Sequence, residues 1–269
     1  MMKTKVVKKK STKKLREDLI KLINQFEINY KTVLIKPNFN TADPFPASTD
    51  KEFLEIIVDI IEEKGADRIY IGDSSTFYKN SEKVIKRKKL ANLNSKDIVE
   101  VVNFDTLERV KKEIPDGEYL SAASIPKLVD EVDTVLYLPC MKTHFHAQYT
   151  GSIKLSVGFL PSLEKASFHI RNLQEKIVEI NKLISPDLII MDGRKCFVEG
   201  GPVSGRVEEP QVLLASKDRV AIDLEAIKII QDYPGNSLEG VSLNNITQIK
   251  LGSEKGLGST EYKLVDLDK

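Results

Sequence analysis

Short β-branched and aliphatic runs alternate with stretches of helical period from residue 15 onward. A mostly parallel sheet with crossing helices produces this pattern, because each strand is buried on both faces and each helix hides one stripe. The strand candidates are Val33 to Lys36, Arg68 to Ile71, Val99 to Phe104, Thr134 to Leu138, Leu188 to Met191 and Val212 to Ala215. Leu15, Leu19, Leu22, Ile23 and Phe26 recur at helical spacing behind the candidate caps Ser11 and Thr12. A capping box of Thr49 and Glu52 predicts the next helix, whose Phe53, Ile56, Ile57, Ile60 and Ile61 face a core and which Gly65 stops. Further helices are predicted over Ser81 to Leu90, Asn172 to Ile184, Arg219 to Gln231 and Ser242 to Lys255. The reading is an α/β fold: a mostly parallel open sheet, helices on both faces, and a site at the carboxyl ends of the strands.

One stretch breaks the alternation. From Cys140 to Arg171 no period is clean, and Gly151, Gly158 and Pro161 interrupt it. A long irregular insert within a compact domain is either disordered or functional, and this one carries too many specific side chains for disorder.

Composition narrows the classes. The chain has 269 residues, enough for a substantial core, with 41 basic against 40 acidic residues. Eight of the basic residues and no acid fall in the first 16 positions, which leaves 33 basic and 40 acidic residues in the body. We therefore expect residues 1–14 to be a basic, flexible tail and residues 15–269 to be one α/β domain. The cluster from Lys83 to Lys89 reads as a solvated face. An acidic body is not a general nucleic-acid binder, since phosphate neutralisation needs a surplus of cations. Two cysteines, Cys140 and Cys196, cannot hold a four-thiolate iron–sulfur cluster, so none is expected from this chain alone. No apolar run reaches membrane-spanning length and no secretory signal is evident, so the expected location is the cytoplasm.

In open parallel sheets, polar groups converge where strands end. Lys36, Asn38 and Asn40 follow the first strand, Asp73, Ser74 and Ser75 the second, and Cys140, Lys142 and His144 the fourth. Asp192, Gly193 and Arg194 follow the fifth, and Ser216, Lys217 and Asp218 the sixth. Turn formation and helix capping account for Asn38, Asn40, Asp73 and Ser74 taken singly; their joint placement on one edge is what points to a site. Gly200, Gly201 and Gly205 beside Pro202 lack the spacing of a phosphate loop. All three histidines, His144, His146 and His169, lie in the irregular insert. His144 and His146 are two apart, which in extended chain puts both on one face to share a metal or anion, although His146 reads equally as a solvated loop residue. Lys142 and Lys154 act as point charges for a phosphate or carboxylate, or as nucleophiles if desolvated. Cys140 is either a thiolate beside Lys142 or a small buried apolar residue. A structural zinc site is not expected.

The strings VLIKPNFN, IYIGDSS, LPCMKTHFHAQYTGSIKLSVGFLP, LIIMDGRKCFVEGGPVSG, LLASKDRVAIDLEA and GLGS resemble successive blocks of the domain-of-unknown-function 362 family, from about Val33 to Leu267. Many members of that family carry a ferredoxin-type cluster module whose cysteines are absent here. His144, Lys154 and His169 are also similar to the histidine–lysine–histidine arrangement of the lactate racemase family, which holds a nickel-pincer nucleotide. That resemblance implies Lys154 as cofactor lysine, His169 as metal ligand and His144 as acid/base, whereas GDSS stands where that family carries a histidine-bearing loop.

These readings combine into an expected enzyme of small-molecule metabolism with a cationic crevice for a small anionic ligand or cofactor. Lys36, Asn38, Asp73, Ser74, Lys142, Asp192 and Gly201 bind, His144 transfers protons, Lys154 stabilises negative charge, and His144 with His169 forms the candidate metal pair. Asp73 and Asp192 holding a divalent metal such as Mg²⁺ is an alternative. A racemase or epimerase of the nickel-pincer kind is a second. A third is a non-catalytic ligand-binding protein or an accessory to a redox partner protein.

Overall fold

The computed structural model describes residues 4–90, 93, 95–168 and 170–269. Its main sheet runs β13(Lys263–Asp266), β1(Lys5–Lys10), β12(Val212–Ser216), β10(Leu188–Gly200), β7(Thr134–Leu138), β2(Thr32–Pro37), β3(Arg68–Asp73), β4(Val99–Asn103). Every strand along this path is parallel to the rest except β12, which runs against both β10 and β1. The expected α/β architecture is therefore present. Ser216 to Asp218, which follow the reversed β12, lie at the opposite end of the sheet from the other strand termini.

Alternation along each strand feeds two separate cores. Val6, Leu34, Val135, Tyr137, Ile189, Met191 and Leu214 enter one; Val7, Val33, Ile35, Leu136, Leu138, Ile190 and Leu213 enter the other. Helices α1(Leu15–Ile23) and α2(Lys51–Glu63) cover the second face. The first face is covered by α7(Leu173–Ile180), α8(Arg219–Gln231) and α9(Thr247–Glu254), which come after α3(Ser81–Arg87), α4(Leu128–Glu131), α5(Ser152–Leu155) and α6(Ser162–Phe168) in the chain. β5(Arg109–Glu113) and β6(Ala122–Pro126) form a separate hairpin.

Three expectations are corrected. The basic N-terminus contains β1, a strand paired on both sides rather than a flexible tail. Only Val6 and Val7 are apolar there, but each is fully buried in a different core, and Lys9 is held by Asp18 and Asp268. The cap of α2 is Asp50, which accepts from the Phe53 N–H at 3.1 Å; Thr49 instead accepts from Asn38 N at 2.7 Å and donates to the Leu138 carbonyl at 3.1 Å, tying two strand ends together. The insert, expected to be irregular, is built of regular elements over its described residues: β8(Cys140–His144), β9(Gln148–Thr150), α5, a 3₁₀ turn at Ser156–Phe159, and α6. Its polar links are made by distant residues, which a local pattern does not encode.

Deleting residues 1–10 is expected to abolish or sharply lower the cooperative thermal transition followed by circular dichroism, and Val7→Ala to cost about 2 kcal/mol in urea unfolding. An unchanged melting temperature in the deletion would restore the solvated-tail reading.

Candidate functional site

At the carboxyl ends of β2 and β3 a cleft with about 450 Å³ of empty space, its open mouth included, is lined by Lys36, Asn38, Asn40, Asp73, Ser74, Lys142, Thr150, Lys154, Gly158, Lys165 and Pro202, with Leu155 and Val157. Four ammonium groups and one carboxylate face it. Lys36 and Asp73, both buried, meet at 2.7 Å between Nζ and Oδ1, and Lys36 also donates to the Pro37 carbonyl at 2.9 Å. Asp73 Oδ2 accepts from the Phe39 N–H at 2.6 Å. Burial pushes the Lys36 ammonium down and the Asp73 carboxyl up from their ordinary values, and their mutual attraction opposes both shifts.

The remaining cations arrive from β8, α5 and α6. Lys142 donates to the Ala47 carbonyl and, at 3.1 Å, to that of Pro202. Lys165 donates to the carbonyls of Ser74 at 2.8 Å and Ser75 at 2.7 Å and touches Ser74 Oγ. Desolvation brings Lys142, Lys154 and Lys165 each down to about 8, with repulsion from Lys142 and Lys165 adding to the effect at Lys154. At neutral pH the cleft is still cationic. Thr150 Oγ1 is buried at its wall without a hydrogen-bond partner among the described residues.

The insert closes the cleft because the core grips it. Asp223, buried on α8, accepts from the N–H groups of Ser152 at 2.7 Å and Ile153 at 2.9 Å, fixing the turn that carries Lys154. Ser156 Oγ contacts Tyr137 Oη at 2.9 Å and Asn181 Oδ1 at 2.8 Å, and Arg219 also reaches Asn181 Oδ1, at 2.6 Å. Ser74 Oγ donates toward the carbonyls of Gly158 and Leu160, each at 3.0 Å. A Cβ on Gly158 would overlap Lys36 Nζ and Asp73 Oδ1, so glycine is what allows the insert to lie on the ion pair. Gly201, with φ +68°, packs against the Thr143 carbonyl, where a Cβ would likewise overlap, and sets Pro202 at the rim.

Of the residues expected from sequence, Lys36, Asn38, Asp73, Ser74, Lys142 and Lys154 line the cleft, and Gly201 supports it. Asp192 is not in the lining. Arg194 holds it, with Nη2 2.7 Å from Asp192 Oδ2 and 2.8 Å from Asp50 Oδ1, so Asp73 and Asp192 do not converge on a cation. His144 is also outside the lining; its Nδ1 accepts from the N–H groups of His146 at 3.1 Å and Ala147 at 3.2 Å, an arrangement that places the ring proton on Nε2. His146 is exposed, and His169 lies outside the described residues. Burial raises the Cys140 thiol to about 11, so it is not a thiolate at neutral pH. Lys165 and Thr150 were not anticipated. Neither belongs to a local motif, and the spacing of Lys165 in a short helix suggests a solvated face.

The model of the family described as a domain of unknown function (DUF362) matches residues 33–228. The chain belongs to that family. The DUF362 match takes in every residue lining the cleft and stops short of the Leu267 to which the sequence blocks extend. Among curated proteins, a thylakoid-associated protein of Synechocystis is 29% identical over 210 residues, covering 75% of this chain and 64% of its own length. The chain therefore spans less than two thirds of that relative. Among solved structures, the lactate racemase apoprotein of Thermoanaerobacterium thermosaccharolyticum superposes with a TM-score of 0.54 at 13% identity, over 83% of this chain and 57% of the racemase. The likeness is one of fold. No helix among the described residues is long and apolar enough to cross a membrane.

The donors of the cleft bear on whether a bare nickel or magnesium ion is held there. Among the described residues no three His, Cys, Asp or Glu side chains gather to hold a metal ion, and the cleft presents four cations to one carboxylate. This donor set does not fit a bare divalent cation. It fits an anion.

Asp73→Asn leaves the Lys36 ammonium buried without its counter-charge and is expected to cost about 3–5 kcal/mol in urea unfolding. Lys36→Met in the same chain should recover most of that loss, and a double-mutant cycle showing no coupling would refute the pairing.

Proposed function

We propose that this chain binds a small anionic metabolite, through a phosphate or carboxylate group, in the lysine cleft at the carboxyl ends of β2 and β3, and that the bound molecule undergoes proton-transfer chemistry there. The supporting observation is the charge count of the cleft wall: Lys36, Lys142, Lys154 and Lys165 against Asp73 alone. Three of these ammonium groups are spoken for by Asp73 or by backbone carbonyls, and their charge still acts electrostatically in a poorly solvated space. Lys154, with no hydrogen bond or ion pair among the described residues, is the cation that meets the ligand. With its pKa near 8 it both gives and takes a proton close to neutrality. Thr150 Oγ1 and the side chain of Asn38 supply neutral hydrogen bonds that orient the ligand.

The reading has a pH signature with a definite sign. Lysines whose pKa lies near 8 are still mostly charged at pH 7 and lose that charge as the pH rises through and above 8. Sulfate keeps its charge over this range and serves as the probe. At equal ionic strength against chloride, millimolar sulfate should raise the melting temperature at pH 7, and the gain should fade above pH 8. Lys154→Met should weaken sulfate binding by about 10- to 100-fold in calorimetry, the equivalent of one charge-assisted hydrogen bond. A sulfate effect indistinguishable from that of chloride would overturn the proposal.

A further inference from the structure

The four lysines of the cleft are not equivalent. Lys36 is bound to Asp73 and the Pro37 carbonyl, Lys142 to the carbonyls of Ala47 and Pro202, and Lys165 to those of Ser74 and Ser75. Hydrogen bonds from an ammonium to carbonyls are charge-assisted and weaken when it loses a proton, which opposes formation of the neutral amine at these three lysines. Lys154 lines the same cleft and donates to nothing among the described residues. It is carried by a short helical turn whose first N–H groups are clamped by the buried Asp223, so its backbone is fixed while its nitrogen is left to the cleft.

A lysine in this position is equipped to attack an electrophile. Neighbouring positive charge favours the neutral, nucleophilic amine, and the other cations are placed to hold an anionic group beside the atom attacked. Amines form reversible covalent adducts at neutral pH with carbonyl carbon, which narrows the ligand class. We propose that Lys154 forms an imine with a small anionic carbonyl compound, an oxo acid or an aldehyde bearing a carboxylate or phosphate, held against Lys154 by the summed positive charge of the cleft. The proposal rests on the anion-binding reading above and adds the electrophile to it.

The step balances without a co-reactant. Nitrogen adds to the carbonyl carbon, a C–N bond forms and the π pair of the C–O bond moves to oxygen. Two of the three protons of the starting ammonium leave with that oxygen as water, and the third remains on the iminium nitrogen. Thr150 Oγ1, buried in the wall of the same cleft and without a hydrogen-bond partner among the described residues, would take the departing hydroxyl. The iminium then withdraws electrons from the adjacent carbon, which is where proton transfer would follow.

Basicity does not select Lys154 over its neighbours, because Lys142 and Lys165 are also brought to about 8. The hydrogen bonds make the selection. Relative to an exposed lysine near 10.5, the neutral amine of Lys154 is roughly three-hundredfold more abundant at pH 7.

The test treats the full chain with glyoxylate and cyanoborohydride at pH 7 and maps the reduced carboxymethyl adduct by peptide mass spectrometry. Labelling is expected at Lys154 at least about tenfold ahead of Lys142, Lys165 and surface lysines, rising with pH through 8, slowed by sulfate and absent in Lys154→Arg. Because the wild-type map compares lysines within one folded molecule, it does not depend on the stability of a variant. Sulfate stabilisation without preferential labelling of Lys154 overturns the imine and leaves the anion site standing. Preferential labelling that sulfate does not slow upholds the nucleophile and overturns the anion site. Neither effect overturns both.

Discussion

The cleft exists because like charges can be buried together when each finds compensation. Four ammonium groups in one poorly solvated space repel each other and lose hydration, a combination that costs several kcal/mol per group unless oxygen atoms replace the water. The carboxyl ends of parallel strands provide those oxygens. Pro37, Ser74, Ser75, Ala47 and Pro202 all turn carbonyls toward a lysine, and Asp73 supplies the one full negative charge. Three lysines are thereby satisfied. The fourth, Lys154, finds no compensating oxygen among the described residues, and this imbalance is what the proposed anion would relieve.

The same accounting explains why the insert between β7 and β10 is ordered. Its backbone has few partners of its own, with short strands and single helical turns, and it is held by polar groups reaching up from the core: Asp223 at the start of α5, and Asn181, Tyr137 and Arg219 around Ser156. Buried polar networks of this kind specify one arrangement, since a shifted register would leave their members unpaired. Fixing Ser152 to Phe159 also fixes Gly158 over the Lys36–Asp73 pair and Lys154 beside it. Packing of the insert thus positions the site. The fold is shared with the lactate racemase apoprotein at 13% identity, too distant for chemistry to be carried across, and among the described residues no three His, Cys, Asp or Glu side chains gather to hold a metal.

The amino-acid sequence by itself determined the layered architecture, because β-branched runs buried on both faces and helices with one apolar stripe have few other ways to hide from water. It also determined which polar groups stand at strand ends, and Lys36, Asn38, Asp73 and Ser74 were legible for that reason. What only the tertiary structure decided is which of those groups meet. Asp192 stands at a strand end like Asp73 but turns to Arg194, while Lys165, unremarkable on a short helix, reaches the carbonyls of Ser74 and Ser75 some ninety positions away. β1 was hidden because two valines make no period, and their burial depends on neighbours from the far end of the chain. Periodicity records the face a residue turns to the core, a local property; the partner a long charged side chain finds depends on what distant segments place opposite it, and that is fixed only when they pack.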